Sequence, residues 1–178
     1  MNCIECGKLN EKGYRQICEA RCDVYIDPTA VIDKNVTIGR GTKIWHWTHI
    51  MGGASIGKYC TIGQGVFIGA KVAIGDQCKV QNGANIFEGV VIENKVFIGP
   101  SVTFTNVKRP YAIVSMKHKF ELTFVRVGSV IGANSTIICG VEIGKNSMVG
   151  AGSVVTHDVK PSTLVVGNPA RILSPMSE

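Results

Sequence analysis

Three polar side chains recur at a constant interval in this chain: His46, Gln64 and Asn82 are separated by eighteen residues and again by eighteen. An imidazole exchanges protons near neutrality, with an ordinary pKa of about 6.5, and carboxamides both donate and accept hydrogen bonds. If the backbone brings such a trio into one column, it forms a strip on which a polar substrate is held and relieved of a proton. Four histidines are present. His46 stands out because it lies in Trp45-His46-Trp47-Thr48-His49, where two aromatic side chains are able to pack against a ligand or a subunit. His46 is therefore the candidate proton acceptor or substrate-orienting group, and His118 and His157 read as ordinary solvated residues.

The element that positions the trio is a period of six. An aliphatic or aromatic residue returns without a miss at Ile26, Ile32, Ile38, Ile44, Ile50, Ile56, Ile62, Ile68, Ile74, Val80, Ile86, Ile92, Ile98 and Phe104, and again at Val125, Ile131, Ile137, Ile143, Val149 and Val155. Four places after each comes a small or β-branched residue such as Ala54, Cys60, Val66 or Val72. Six residues are too few for a helix and its return, so short extended segments must stack on copies of themselves. A fixed period of this kind is the signature of a solenoid. Gly often follows the aliphatic residue, as at Gly39, Gly57, Gly63, Gly69 and Gly75, and the expectation is that it supplies the backbone freedom for each turn.

The division that follows is a cysteine-containing cap or leader over residues 1–23, coils over 24–104, an inserted loop over 105–124, further coils over 125–160 and a closing segment over 161–178. The insertion is where the register of six is broken, in a polar and basic stretch punctuated by Pro110. Because the repeat resumes in register, the insertion reads as an excursion from the stack, either an arm over a neighbouring subunit's site or an insertion that the fold merely tolerates. Pro169 lacks a ladder donor, so strand pairing is expected to end there.

Composition narrows the partners. The chain has 178 residues, enough for one domain, with a net charge of +6. That charge suits polyanionic small ligands such as nucleotide sugars and coenzyme A. The basic residues are scattered, and there are only two Trp and four Tyr, so nucleic acid is not expected. No run of eighteen apolar residues and no charged-then-apolar leader is seen, so neither membrane insertion nor secretion is expected and the location read from the sequence is cytoplasmic. Seven Cys then read as reduced thiols. Cys60 and Cys78 occupy the small inward position and read as packed and inert. Cys3, Cys6, Cys18 and Cys22 have a spacing that is able to hold zinc in four thiolates, against the alternative of a metal-free cap. No catalytic metal is expected.

The hexads resemble those of the hexapeptide-repeat acyltransferases, whose left-handed parallel β-helix closes one triangular coil with three hexads and assembles as a homotrimer with sites between subunits. The strings W-H-W-T-H-I-M-G-G-A-S-I-G (45–57), G-Q-G-V-F-I-G (63–69), V-Q-N-G-A-N-I-F-E-G-V (80–90), G-P-S-V-T-F-T-N-V (99–107) and V-V-G-N-P-A-R (165–171) together resemble the bacterial N-acetyltransferases that modify the 3-amino group of a nucleotide-linked sugar. The resemblance implies an all-β fold and an acetyl-CoA-dependent enzyme in which the uncharged amine attacks the thioester directly, without an acyl-enzyme, so Cys139 is not cast as a nucleophile. His46 would take or relay a proton, and Gln64 and Asn82 would hold the sugar or its amine. Trp45, Asn106 and Arg109 are the further substrate contacts. Glu88 is able to bind a sugar hydroxyl or to stand as a solvated carboxylate. Lys145, Lys160 and Arg171 are candidates for the phosphates of coenzyme A.

The substrate implied is UDP-2-acetamido-3-amino-2,3-dideoxyglucuronate, for surface polysaccharide such as lipopolysaccharide O-antigen. A dTDP-3-amino-3,6-dideoxyhexose is the alternative. Asn82-Gly83 replaces the family's Asn-Asn, and Arg109 precedes Pro110 where the family's arginine follows its proline; both departures bear on the identity of the sugar. From another class, a carbonic-anhydrase-like hexapeptide protein would need three zinc-binding histidines, and His46 and His49 have no third partner at a suitable coil spacing.

Overall fold

The computed structural model describes residues 2–3 and 23–175. Its strands are mostly two residues long and belong to three parallel sheets, which form the sides of a prism. Successive hexads visit the sheets in turn, and every third hexad lands on the same one. Thus Ile44, Ile62, Val80 and Ile98 are partners in one sheet, while Ile50, Ile68, Ile86 and Phe104 are partners in the next. Ile38, Ile56, Ile74 and Ile92 are partners in the remaining one. These are called the second, third and first sheets respectively. The residues of the repeat fill the prism: Ile44, Ile50, Ile62, Ile68, Ile86 and Ile98 are all fully buried, and the small residues four places on, such as Val66, Val72 and Cys78, are buried between them.

Glycine's part differs from the expectation. Gly57 and Gly63, directly after the inward isoleucine, are not in the left-handed region. They are needed for room, because a Cβ on Gly57 would lie 2.6 Å from the carbonyl carbon of Gly75 in the next coil, and one on Gly63 would lie 2.7 Å from the backbone nitrogen of Asn82. The left-handed turn falls two residues later and is taken by glycine at places such as Gly41, Gly53, Gly65 and Gly83 and about as often by residues with side chains: Asn35, Trp47, Tyr59, Lys71, Gln77, Lys95, Ser101, Asn134 and Asn146 all have φ between 54° and 61°. The tight turn at each of these corners is held by the ladder on both sides, which keeps these residues where an isolated chain would not place them.

The corners are stapled by side chains. Thr42, Thr48, Ser129 and Ser135, all inward, donate to the carbonyls of Gly57, Gly63, Gly144 and Gly150 at 2.8–3.0 Å. Cys60 and Cys78 do the same with their thiols, to Gly75 at 3.1 Å and Glu93 at 3.0 Å. These thiols therefore serve as corner donors as well as core fillers. On the outside of the first sheet Arg126 is clamped by Glu93 at 2.9 Å and Glu142 at 2.6 Å, tying three coils together. Arg126 holds both carboxyls below the ordinary glutamate range, with the Val127 backbone N–H adding to the effect at Glu93.

The repeat pauses between Thr103–Phe104 in the third sheet and Thr123–Val125 in the first. The intervening chain carries one short 3-10 turn, Lys117–Lys119, and a neck closed by the Glu121 N–H on the Asn106 carbonyl at 3.0 Å. Lys108 pairs with Glu121 at 2.7 Å beside it. Val90–Ile92 pairs with Thr123–Val125 in register, so the stack continues across the excursion.

Pairing does not end at Pro169, contrary to the sequence-based expectation. Thr163–Val166 joins the second sheet in parallel, the chain turns through the cis Asn168–Pro169 bond, and Arg171–Pro175 returns antiparallel beside it. A proline within the turn needs no ladder donor, and that is where this one sits. At the other end Asn2–Cys3 adds a parallel strand to Thr37–Ile38. The side chains of Cys3, Cys6, Cys18 and Cys22 lie outside the described residues.

Two outcomes are expected. Ile68→Ala, in the middle of the buried column, lowers unfolding free energy by about 2–5 kcal/mol, measurable by urea denaturation. Arg126→Met removes what lowers Glu93 and Glu142. Because a carboxyl lowered on folding contributes stability above its ordinary value of about 4.3 and loses it as pH falls through the folded value, the stability gap between wild type and R126M is open at pH 7 and closes on acidification below pH about 4. Thermal melts across that range measure it.

Candidate functional site

His46, Gln64 and Asn82 each sit two residues after an inward residue of the second sheet, at the edge where the chain turns into the third sheet. The backbone stacks them directly: the Gly65 N–H donates to the His46 carbonyl at 2.8 Å, that of Gly83 to Gln64 at 2.8 Å, and that of Ser101 to Asn82 at 2.9 Å. All three side chains are exposed. They share one edge because the preceding strands, Lys43–Ile44, Thr61–Ile62 and Lys79–Val80, are in register.

Within the column the roles differ. The Asn82 side-chain oxygen accepts the Gln64 backbone N–H at 3.0 Å. Asn94 and Asp76 make the same bond at another edge, to the N–H groups of Asp76 and Lys58, at 2.7 Å each. One half of the Asn82 amide is thus committed to the corner, and its NH₂ is the part able to face a ligand.

His46 has a partner that the sequence reading missed. Asp27, on the coil below, is 4 % exposed, and its carboxylate lies 2.9 Å from His46 Nδ1. It also receives the Thr29 N–H at 2.9 Å, the Thr29 hydroxyl at 2.7 Å and the Tyr25 hydroxyl at 3.2 Å. The Thr29 bonds, joined by the nearby imidazole, hold its pKa below the ordinary aspartate value despite burial, which opposes this. Asp27 is therefore ionised at neutral pH. The signal was present as Asp27-Pro28-Thr29, a sequence with the form of an Asx turn. It escaped notice because Asp27 precedes His46 by nineteen residues and not eighteen.

Aromatic rings surround the imidazole. Trp45 and Trp47 have centroids 6.1 and 6.0 Å from it, and Tyr25 lies 5.3 Å from Trp45. Both tryptophans are exposed, Trp47 at 66 %. A second pair, His49 Nε2 with Asp33 at 3.2 Å, lies on the outer face of the third sheet, where His49 meets Phe67 edge-on and Phe67 meets Phe87.

The remaining candidates stand elsewhere on the prism. Glu88, Asn106 and the exposed Arg109 belong to the edge between the third and first sheets, one side away from His46, and Glu88 pairs with Lys71 at 3.1 Å. Lys145 and Lys160 lie at the third edge, where the Ser162 N–H donates to the Lys145 carbonyl at 2.9 Å. Arg171 lines a cavity of about 280 Å³ at the C-terminal end, with Val155, His157, Asp158 and Ile172. Within one chain the column is joined by Trp45 and not by these six residues. Among the described residues no cluster of three or more His, Cys, Asp or Glu is able to hold a metal, and no helix is long and apolar enough to cross a membrane.

Comparison with known proteins agrees with this architecture. Residues 35–70 match the bacterial transferase hexapeptide (six repeats), and residues 53–88 and 127–157 match the hexapeptide repeat of succinyl-transferase. The chain is 45 % identical over 148 residues to dTDP-3-amino-3,6-dideoxy-alpha-D-galactopyranose 3-N-acetyltransferase of Aneurinibacillus thermoaerophilus, covering 83 % of this chain and 76 % of that protein. A hexapeptide-repeat acetyltransferase of Vibrio cholerae, solved with acetyl coenzyme A, superposes with a TM-score of 0.62 at 29 % identity over 71 % of this chain and 72 % of the other. Galactoside acetyltransferase in complex with coenzyme A superposes with a TM-score of 0.62 at 26 % identity, over 70 % and 66 %.

The stacked hexads and these matches show the class of protein: this chain belongs to the hexapeptide-repeat transferases. Within it the chain falls among the nucleotide-sugar 3-N-acetyltransferases.

The corner bond of Asn82 makes a prediction independent of catalysis. Asn82→Ala lowers stability by about 0.5–1.5 kcal/mol, read by urea denaturation, whereas Asn82→Asp keeps an oxygen for the Gln64 N–H and stays closer to wild type.

Proposed function

We propose that this enzyme transfers the acetyl group of acetyl-CoA to the 3-amino group of a dTDP-linked 3-amino-3,6-dideoxyhexose, a precursor for surface polysaccharide. The choice of sugar rests on the relative at 45 % identity; UDP-2-acetamido-3-amino-2,3-dideoxyglucuronate is the competing substrate. The single observation that carries the chemistry is the exposed His46 ring held beside Trp45, Trp47, Gln64 and Asn82 on one edge.

In the proposed reaction the uncharged amine attacks the thioester carbon. The C–N bond forms, a tetrahedral oxyanion develops, and its collapse breaks the C–S bond to release coenzyme A as the leaving thiolate. The ammonium formed on attack gives a proton to His46, which passes it to the leaving sulfur, so no acyl-enzyme is involved. Gln64 and the Asn82 NH₂ orient the sugar, and the tryptophans pack against its apolar face. Acetyl-CoA lies in the groove between two prisms of a homotrimer, with Lys145, Lys160 and Arg171 toward its phosphates. Glu88, Asn106 and Arg109, on the neighbouring edge, reach a column presented by a second subunit. That arrangement accounts for their separation from His46 within one chain.

Thiol release from acetyl-CoA, measured against a panel of dTDP- and UDP-linked 3-amino sugars, tests the reading. The expected result is turnover with a dTDP-3-amino-3,6-dideoxyhexose at a higher kcat/KM than with the UDP-uronate. Folded trimers without turnover on any member would refute it. His46→Ala is expected to lower kcat by about 100-fold, a larger effect than its cost in melting temperature, which reflects only the lost bond to Asp27.

A further inference from the structure

We infer that Asp27 is a positioning residue that fixes which nitrogen of His46 carries the proton, leaving Nε2 as the basic atom presented to the substrate amine. The inference deepens the reading of His46 as proton acceptor and rests on it.

The argument is one of donor and acceptor counting. An ionised carboxylate only accepts, at about four lone-pair positions. Asp27 Oδ1 receives the Thr29 N–H at 2.9 Å and the Thr29 hydroxyl at 2.7 Å. Oδ2 receives the Tyr25 hydroxyl at 3.2 Å and faces His46 Nδ1 at 2.9 Å. The Thr29 hydroxyl is itself oriented, because its oxygen accepts the Trp47 N–H at 2.9 Å and its proton is thereby directed to Asp27. Because Oδ2 is able only to accept, the Nδ1 facing it must carry the hydrogen. In the neutral ring Nδ1–H requires an unprotonated Nε2. Among the described residues no hydrogen bond to Nε2 is present, and the His46 side chain is 47 % exposed.

These bonds form a closed circuit across two coils: Asp27 to His46, along the backbone to Trp47, from the Trp47 N–H to the Thr29 hydroxyl, and back to Asp27. The circuit clamps the tight turn of the upper coil, in which Trp47 has a φ of 54°, so it fixes the ring's orientation as well as its tautomer. The coil containing Asp27 and Thr29 thus belongs to the catalytic apparatus although neither residue reaches the substrate.

The test reads the tautomer directly. In protein labelled with 15N-histidine, with the His46 resonances identified by their loss in His46→Gln, the ring nitrogen shifts of the neutral imidazole are expected to report Nδ1–H in the wild type. In Asp27→Asn the amide turns its NH₂ toward Nδ1, and the tautomer is expected to switch to Nε2–H. Wild-type protein in the Nε2–H form overturns the inference without any variant and without any substrate, so its failure is separate from a failure to find the sugar.

With substrate, D27N is expected to lower kcat by no more than the roughly 100-fold loss of His46→Ala with KM within about 3-fold, and D27N combined with His46→Ala is expected to be no slower than His46→Ala alone. A folded D27N enzyme that keeps wild-type kcat, or a double variant with fully additive losses, overturns it. Should D27N fold poorly, the tautomer of the wild-type protein decides by itself, Nδ1–H supporting the inference and Nε2–H overturning it.

Discussion

Every coil of this prism depends on the row of backbone hydrogen bonds it makes with the next coil. Strands of two residues have almost no stability of their own, so the ladder must be continuous from one end to the other, and the coils must approach to backbone contact. That constraint explains the glycines at Gly57 and Gly63, where a Cβ would meet the next coil's main chain. It also explains why Trp47 and Tyr59 adopt left-handed angles that such residues seldom take: neighbours above and below leave the corner no alternative.

The same ladder builds the site. A side chain placed on an edge is repeated in space by whatever stands eighteen residues away, so a functional strip needs no loop to gather it. His46, Gln64 and Asn82 become neighbours through bonds that belong to the scaffold. Asn82 shows the overlap most plainly, since one end of its amide serves the corner as Asn94 and Asp76 do elsewhere, leaving the other end available. In such a fold a single side chain is able to serve the scaffold with one atom and a ligand with another.

The period of six, the fully buried isoleucines and the edge column were readable from the chain because each depends on a residue type recurring at a fixed interval. What escaped the reading depends on reach across coils. Asp27 bonds His46 from one coil below and one place earlier, so its interval is not that of the repeat. The glycines directly after the inward residue read as turn formers, whereas at Gly57 and Gly63 their purpose is closeness, a distinction visible only once the next coil is in place. Glu88 and Asn106, read as substrate contacts, and Lys145 and Lys160, read as phosphate contacts, have offsets that put them on other edges of the prism than the column. The antiparallel return of Arg171–Pro175 was hidden because a proline ends a ladder only if it lies in the strand, and Pro169 lies in the turn.

The excursion after Phe104 carries one more implication. Its two feet stand on paired strands and are joined by the Glu121–Asn106 bond, so the stack registers only that neck and is indifferent to the length of chain above it. Such a place is a natural graft point. Lineages are free to lengthen, shorten or recompose the segment, and so to alter what it touches, without disturbing a single rung beneath.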